Sequence, residues 1–171
     1  MITPEYQQQI TELHARQTWG NQGWKALPDV MRLILEYRLK RPTILDYGAG
    51  ERTLERTAKW ALPQAQVQSY DPGIPEIAQL PVGQFDIVVC TDVMEHVEEQ
   101  HVDATLDYLR RCTYKAAFFI IACSPAKTLL PDGRNAHLTI QPHAWWREKI
   151  AARWGELEEG GHKNYQVIAR A

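Results

Sequence analysis

The chain has 171 residues, of which 44% are hydrophobic and 23% are charged, and its formal net charge is −2 at pH 7. This length predicts a single domain, residues 1–171, with a hydrophobic core of its own. No apolar run approaches the roughly 20 residues that span a bilayer, so we expect no membrane partner. The charge balance gives no basic field, which disfavours nucleic acid as a partner.

The cysteines and the first residues indicate the compartment. Residues 1–9 carry neither a basic start nor an apolar stretch, so we expect no signal peptide. The three cysteines, Cys90, Cys112 and Cys123, are odd in number and lack the spacing of metal ligands. Buried thiols in a reducing compartment fit this pattern, and we expect a cytoplasmic protein.

Residues 1–28 form an N-terminal segment ahead of the core, which we place at 29–171. A helix is predicted over residues 5–16, and residues 18–24 form a loop rich in glycine and tryptophan. This loop is either a packed surface loop or a lid over a ligand, in which case Trp19 would contact a substrate. A second helix is predicted to start near Leu27-Pro-Asp29, with Asp29 as its N-cap.

The stretch Pro42-Thr-Ile-Leu-Asp-Tyr-Gly-Ala-Gly50 predicts a strand at residues 43–45, a glycine turn and a helix over 51–62. Together they form the first half of a nucleotide-binding βαβ unit. Glycines in such a turn let a ligand approach the backbone, and the helix amino terminus offers free N–H groups. Thr53 stands where a dinucleotide fingerprint would have its third glycine, so a nicotinamide cofactor is the weaker interpretation.

A second strand is predicted at residues 66–70 and ends at Asp71, 25 positions after Asp46. This spacing is close to the roughly 20 residues that precede a ribose-binding carboxylate in dinucleotide sites. Phe85 follows Asp71 by only 14 positions, and three prolines lie between them. We therefore expect an abbreviated crossover here, with a short edge strand at 77–80.

The remaining elements complete an α/β pattern. Strands are predicted at 85–90 and 116–122, helices at 101–111 and 143–153, a long loop at 124–141, and a closing hairpin at 156–159 and 165–169. The expected fold is a Rossmann-like, doubly wound sheet that is mostly parallel and ends in an antiparallel hairpin. Ligands bind such sheets at the carboxyl ends of the strands.

These motifs resemble the class I S-adenosylmethionine-dependent methyltransferases. Residues 44–50, Ile-Leu-Asp-Tyr-Gly-Ala-Gly, match the first motif of that family, and Asp71 matches the carboxylate that ends its second strand. Residues 85–97, Phe-Asp-Ile-Val-Val-Cys-Thr-Asp-Val-Met-Glu-His-Val, are similar to the strand 4 motif of the ubiquinone-type O-methyltransferases. The long loop resembles that of small phage and bacterial methyltransferase-like proteins. The fold implied is the class I methyltransferase fold, shortened around its third strand.

The resemblance implies S-adenosylmethionine as cofactor. The Gly48–Gly50 turn would pass under its methionine part, Asp46 would fix that turn or the cofactor's amino group, and Asp71 would accept both ribose hydroxyls. Adenine contacts stay open because the third strand is short, with Pro72 and Ile74 as candidates. The full set of implied cofactor-binding residues is Asp46, Tyr47, Gly48, Ala49, Gly50, Asp71, Pro72, Thr91 and Asp92.

The segment Asp92-Val-Met-Glu-His96 follows the strand at 85–90, and its spacing places Asp92, Glu95 and His96 on one face. With His137 from the long loop, this set is similar to the metal site of small-RNA 2′-O-methyltransferases and could hold Mg²⁺ or Mn²⁺. The alternative is a capping box of Asp92 and Glu95 that needs no metal. In that case His96 or His137 could still act as general base. Glu95, His96 and His137 are thus the candidate catalytic residues.

On the substrate side, Arg134 could pair with a phosphate or carboxylate, and Asn135 lies beside it in the loop. We expect the remaining histidines, including His14, at the surface. The predicted activity is transfer of a methyl group to oxygen, less favourably to nitrogen, on a small molecule or sugar. Few residues are available for recognition, which suits a small acceptor or a site shared in a homodimer. The alternative is a catalytically silent S-adenosylmethionine-binding or assembly subunit of a larger complex.

Overall fold

The computed structural model describes residues 2–16, 20–161 and 163–171. Within these residues the helices are α1 (Pro4–Arg16), α2 (Leu27–Glu36), α3 (Thr53–Ala61), α4 (Glu99–Cys112) and α5 (His143–Trp154). The strands are β1 (Thr43–Tyr47), β2 (Gln66–Tyr70), β3 (Phe85–Thr91), β4 (Thr113–Ala122), β5 (Leu157–Gly160) and β6 (Asn164–Arg170). No helix in the described part of the chain is long and apolar enough to cross a membrane.

The six strands form one sheet in the order β2-β1-β3-β4-β6-β5. Strands β2, β1, β3 and β4 pair in parallel, whereas β6 runs antiparallel to both β4 and β5. The chain passes from β1 outward to β2 and then crosses back to β3, so the strand order reverses beside β1. The carboxyl ends of β1 and β3 therefore flank the crevice where doubly wound sheets bind ligands. This topology confirms the predicted fold class.

Successive side chains of the strands point to opposite faces of the sheet and pack into two separate apolar layers. Ile44, Ile87 and Phe118 pack against α2 and α3 on one face of the sheet. Leu45 and Val88 point to the opposite face and pack against α4 and α5. Because both faces of the central strands are covered, these strands are apolar throughout, as is typical of parallel sheets.

The predicted helix starts are corrected by local backbone geometry. Helix α3 begins at Thr53 rather than at residue 51, because Arg52 adopts a left-handed conformation with φ of 53°. Asp29 is not the N-cap of α2; that position belongs to Ala26, which makes no side-chain capping bond. The Asp29 carboxylate instead lies 3.3 Å from the amide nitrogen of Gln166, which donates to it from β6.

The crossover from β2 to β3 contains no strand. The predicted edge strand at 77–80 is wrong, and the segment holds a single 3-10 turn at Pro75–Ile77. The carbonyl of Ile77 accepts a hydrogen bond from the backbone N–H of Asp71 at 3.1 Å, which folds the crossover back onto the end of β2. Prolines deny the segment the N–H groups that a strand would need.

Helix α1 and the long loop after β4 share an apolar cluster of their own. Tyr6, Ile10 and Leu13 of α1 pack there against Leu130 and Ala136 of the loop, apart from the two layers that flank the sheet. Small clusters of this kind commonly lie under long loops. Here the cluster fixes α1 and the loop to one another above the carboxyl ends of the strands.

Candidate active site

A cavity of about 460 Å³ opens at the carboxyl ends of the parallel strands. Its volume falls within the roughly 300–1,000 Å³ usual for small-molecule sites. One end is bounded by α1, by the turn after β1 and by Asp71, and the other by the loop after β4 and the turn before β6. The turn after β3, residues 92–97, lies between them. The described segments that were predicted to contact a ligand thus all border or support this one cavity.

The turn after β1 depends on two glycines with positive φ, Gly48 at 78° and Gly50 at 47°. A Cβ on Gly48 would collide with the side chain of Val93, and a Cβ on Gly50 would lie 2.7 Å from the Cα of Gly20. The Gly20 carbonyl also accepts a hydrogen bond from the N–H of Glu51 at 3.0 Å. The glycines therefore let the backbone at residue 20 press directly onto the turn.

Asp71 joins this turn to the next one. Its Oδ2 accepts the backbone N–H of Gly50 at 3.0 Å, and its Oδ1 accepts that of Gly73 at 2.9 Å. The side chain borders the cavity and is almost fully buried. Since each carboxylate oxygen has two acceptor positions, both oxygens retain capacity for a ligand hydroxyl.

Asp46 does not border the cavity, although its neighbours Tyr47 and Gly48 do. It is buried beneath α3, and its Oδ2 has no hydrogen-bond partner among the described residues. Burial, with smaller contributions from Asp71 and Glu55, raises the pKa of this carboxyl from 3.8 to about 7. Of the other implied cofactor-binding residues, Pro72, Thr91 and Asp92 border the cavity, whereas Ala49 and Gly50 support it from behind.

Glu95 is completely buried, which is unusual for a carboxyl group. Its Oε1 accepts the backbone N–H of Ala122 at 3.0 Å, at the end of β4. Its Oε2 has no hydrogen-bond partner among residues 2–16, 20–161 and 163–171. Burial raises the pKa of Glu95 to about 8. A buried carboxylate oxygen without a partner favours a bound proton or a bound cation at this point.

Two histidines from separate segments meet beside Glu95. The Nδ1 of His96 lies 2.7 Å from the carbonyl oxygen of Ala136, and the Nδ1 of His137 lies 2.6 Å from that of Ser124. A carbonyl can only accept, so each Nδ1 carries the proton and each Nε2 carries the lone pair. The two rings lie edge to face with centroids 4.9 Å apart. Burial lowers the pKa of His96 to about 4, which keeps its ring neutral at physiological pH.

The structure brings Glu95, His96 and His137 together as a possible metal-binding group, with one ligand atom from each residue within 4.8 Å of the others. Histidine ligands of metals usually donate their second ring nitrogen to a carbonyl or carboxylate, as both of these do. Asp92 borders the cavity but does not belong to this group.

The capping-box alternative is wrong. Residues Met94–His96 form a 3-10 turn whose N-cap is Val93, with no side-chain capping bond. Asp92 has a positive φ of 53°, and its N–H is bonded to the carbonyl of Ile120 rather than to Glu95. The carboxylate of Glu95 is therefore directed to β4 and not to the start of its own turn.

The predicted substrate residues lie elsewhere. Arg134 is exposed and does not border the cavity. Its Nε and Nη2 each lie 2.7 Å from the same carboxylate oxygen of Asp132. Asn135 is used inside the loop, where its Oδ1 accepts the N–H groups of Ala126 and His137. It therefore orients His137 rather than reaching the cavity itself. The predicted role of Trp19 falls outside the described residues.

Sequence reasoning missed the contribution of α1. Tyr6 and His14 both border the cavity, contrary to the expectation that His14 lies at the surface. His14 Nε2 is 3.6 Å from Asp71 Oδ1, and the hydroxyl of Tyr6 is buried with no hydrogen-bond partner among the described residues. Their spacing, with Ile10 between them, is the ordinary i, i+4 pattern of an apolar helix face, so only the tertiary position of α1 distinguishes them.

No protein-family model matches the chain, and no curated protein matches it. Solved structures do. An O-methyltransferase family protein from Burkholderia thailandensis is 13% identical with a TM-score of 0.66; the match covers 95% of this chain but only 63% of that one. Magnesium protoporphyrin IX methyltransferase from Synechocystis PCC 6803, with bound S-adenosylhomocysteine, is 16% identical with a TM-score of 0.62, and 97% and 95% of the two chains are covered.

A third similar structure is the 1,6-didemethyltoxoflavin-N1-methyltransferase of Burkholderia thailandensis, which holds its substrate and S-adenosylhomocysteine. It is 17% identical with a TM-score of 0.58, over 99% of this chain and 91% of that one. At such identities the likeness shows the fold, which is the class I methyltransferase fold that the sequence motifs predict. The named proteins methylate different acceptors, so the fold leaves the acceptor open.

We expect Gly50→Ala to destabilise the protein more than Gly133→Ala. Both glycines have positive φ, so both substitutions incur the left-handed strain of roughly 1–2 kcal/mol. Only at Gly50 would the new methyl group meet a backbone, whereas Gly133 has open space around it. The collision should add roughly 1–3 kcal/mol, measured as the free energy of unfolding in urea. Equal losses would show that residue 20 is not held against the turn.

The stability of Asp46→Asn relative to wild type should rise with pH between about 4 and 7. In this window the unfolded carboxyl is ionised while the buried one keeps its proton, because its pKa is raised to about 7. Wild type therefore loses stability as pH rises, by about 1.4 kcal/mol for each unit of pKa shift, and the amide does not. Urea unfolding of both ligand-free proteins at several pH values measures the difference in slope. Parallel profiles would contradict the raised pKa.

Proposed function

We propose that this protein is an S-adenosylmethionine-dependent methyltransferase that methylates a hydroxyl group on a small molecule or sugar. One observation carries the proposal: a single cavity connects Gly48 and Asp71 at one end to Glu95 and His137 in its middle. A cofactor held by the first pair would thus share a space with residues suited to hold or move a proton. Direct transfer between two ligands needs such a shared space, because alignment and proximity supply most of the acceleration.

The residues at the first end suit the cofactor. Asp71 is fixed by two backbone N–H groups and still has acceptor capacity for two ribose hydroxyls. Gly48 borders the cavity where the methionine part would lie, and its missing side chain leaves room for Val93, which borders the cavity too. Thr91 and Asp92 border the same region. When bound, S-adenosylmethionine supplies an electrophilic methyl group on a sulfonium.

The residues in the middle of the cavity suit activation of the acceptor. His96 and His137 each donate Nδ1–H to a backbone carbonyl, so Nε2 is the nitrogen of each ring that can accept a proton or bind a cation. Because burial lowers the pKa of His96 to about 4, His96 is a weak base and His137 is the proposed general base. A hydroxyl placed against such a nitrogen can transfer its proton as the oxygen attacks. Asn135 fixes the backbone of His137 and so holds that ring in place.

We also propose that Glu95, His96 and His137 bind a divalent cation. The unpartnered Oε2 of Glu95 and the two carbonyl-anchored imidazoles fit such an ion, which would lower the pKa of an acceptor hydroxyl. Of Mg²⁺ and Mn²⁺, two imidazole ligands favour Mn²⁺, because Mg²⁺ prefers oxygen ligands throughout.

A hydroxyl acceptor is favoured over an exocyclic base amine. The residues at the end of β3 read Cys90-Thr-Asp-Val93, whereas enzymes that methylate such amines carry an Asn/Asp-Pro-Pro-Tyr type of motif there.

The alternative function is a catalytically silent subunit of a larger complex. In that case Glu95→Ala and His137→Ala would leave every activity of the complex unchanged and disturb only its assembly. The position of buried Glu95 and of two carbonyl-anchored histidines at one cavity favours the enzyme.

We expect Asp71→Asn to weaken binding of S-adenosylhomocysteine by at least about tenfold, because the amide loses the charge that strengthens hydrogen bonds to the ribose. Isothermal titration calorimetry measures the affinity. Asp86→Asn is the matched control, since Asp86 also accepts a backbone N–H, that of Thr43 at 2.8 Å, but lies at the opposite ends of the strands. No binding by wild type would refute the proposed function, and equal binding by Asp71→Asn would refute the ribose assignment.

We expect wild type to bind Mn²⁺ and Glu95→Gln to bind it at least about tenfold more weakly, because the amide cannot offer a charged oxygen. The loss of the free Mn²⁺ signal in electron paramagnetic resonance measures binding without any substrate. Glu99→Gln, at an exposed position at the start of α4, is the matched control. If wild type binds no Mn²⁺, a metal-free general base remains and the cation is excluded from the proposal.

A further inference from the structure

Two lysines that the proposed chemistry does not use border the cavity beside β4 and β6, on the side of the sheet away from β2 and Asp71. Lys127 lies in the loop after β4, Lys163 lies in the turn before β6, and both border the cavity. Among the described residues, neither side chain forms an ion pair with a carboxylate.

Several other cations of this protein are neutralised at short range. Each of the following has a nitrogen within 3.2 Å of a carboxylate oxygen: Arg32, Lys59, Arg134, Arg147, Lys149, Arg153 and Arg170. Lys127 and Lys163 lack such a carboxylate in the described part of the chain, as do other exposed cations, and they differ from those cations in bordering the cavity.

The pairing of β4 with β6 brings Lys163 near Ala122, the residue whose N–H binds Glu95. Asn164, the next residue, pairs with Ala122 across the antiparallel strands β4 and β6. The N–H of Ala122 donates to the Glu95 carboxylate at 3.0 Å. Lys163 therefore precedes by one residue the partner of Ala122 in the strand pair.

Lys127 approaches from the other side. Ser124, three residues earlier, accepts the Nδ1–H of His137 through its carbonyl at 2.6 Å. The segment from Ser124 to Thr128 borders the cavity throughout. The two lysines thus come from separate segments, one that continues the anchor of Glu95 and His137 and one that pairs with it across the sheet.

Acidic and basic side chains are distributed unevenly along the cavity. Carboxylates border the cofactor end and the middle, whereas the side beside β4 and β6 has two ammonium groups together with Ser124, Thr128 and Asn164. Two like charges at one opening repel each other, and an anion bound between them removes that repulsion. Lysine recognises phosphate and carboxylate oxygens as a point charge, with hydroxyl and amide donors completing the contacts.

We infer that the acceptor carries an anionic group, a phosphate or a carboxylate, which Lys127 and Lys163 bind while the hydroxyl to be methylated faces Glu95 and His137. The inference rests on the proposed function and adds the substrate class to it. It also moves the anion contact predicted for Arg134 to a different pair of side chains, because Arg134 is already paired with Asp132 and does not border the cavity.

The test uses the full chain saturated with S-adenosylhomocysteine, with EDTA present so that no metal ion binds the anion, at low ionic strength. Inorganic phosphate is titrated in one series and acetate in another, and amide ¹H–¹⁵N spectra are recorded. We expect saturable shifts at residues 124–128 and 163–164 with at least one anion. In the double variant Lys127→Gln, Lys163→Gln the affinity should fall by at least about tenfold, because two charged contacts are lost.

The control is the double variant Lys40→Gln, Arg41→Gln, which removes the same net charge at exposed positions away from the cavity and should bind as wild type does. Stronger binding of phosphate supports a phosphate ester as acceptor, and stronger binding of acetate supports a carboxylic acid. Absence of saturable binding, or equal affinity in wild type and the lysine double variant, would overturn the inference while the bound S-adenosylhomocysteine leaves the proposed function standing. Failure of S-adenosylhomocysteine itself to bind overturns both.

Discussion

The carboxylate of Asp71 is the interaction on which the binding end of this protein depends. Its two oxygens accept N–H groups from Gly50 and Gly73, and so tie the turn after β1 to the turn after β2. Parallel strands deliver both turns to the same edge, since Tyr47 and Tyr70 are paired in register. Without the carboxylate, two buried backbone donors would lose their partner, at a cost of about 1–3 kcal/mol each. The same group thus holds the two turns together and borders the cavity.

A second buried carboxylate organises the reactive end in a similar way. Glu95 reaches from the turn after β3 to the N–H of Ala122 at the end of β4, and the backbone of that turn also accepts the N–H of Thr139 from the long loop at 2.9 Å. The loop is therefore not a loose connection. Its backbone carbonyls and N–H groups are committed to positioning His96 and His137, so a substitution in the loop can act on the chemistry without touching a ligand.

The fold was predictable because its signals are local: apolar runs for buried strands, a glycine turn, and an acidic residue after each of the first two strands. The proximity of Glu95 and His96 was also predictable, since they share one short turn, and the family resemblance added His137 to them. Their anchoring was not, because the carboxylate bonds across the sheet and no spacing rule encodes that. The roles of His14 and Tyr6 depend on where α1 lies relative to the sheet. Arg134 was predicted to bind an anion of the substrate, but it pairs with Asp132, two residues earlier. Nothing in the sequence distinguishes that pairing from an unpaired loop arginine.

The separate apolar cluster of α1 has a consequence for how ligands come and go. The buried side chains of α1 rest on the loop rather than on either layer of the sheet. Polar contacts that hold the helix to the remaining structure include the Thr3 N–H and hydroxyl on Glu98 and the Gln7 amide on the Pro72 carbonyl. Opening the cavity on this side would therefore either expose the buried face of α1 or require α1 and the loop to move together, while the two layers that flank the sheet stay packed. An opening of this kind costs less free energy than global unfolding, because the sheet and its two apolar layers keep their contacts.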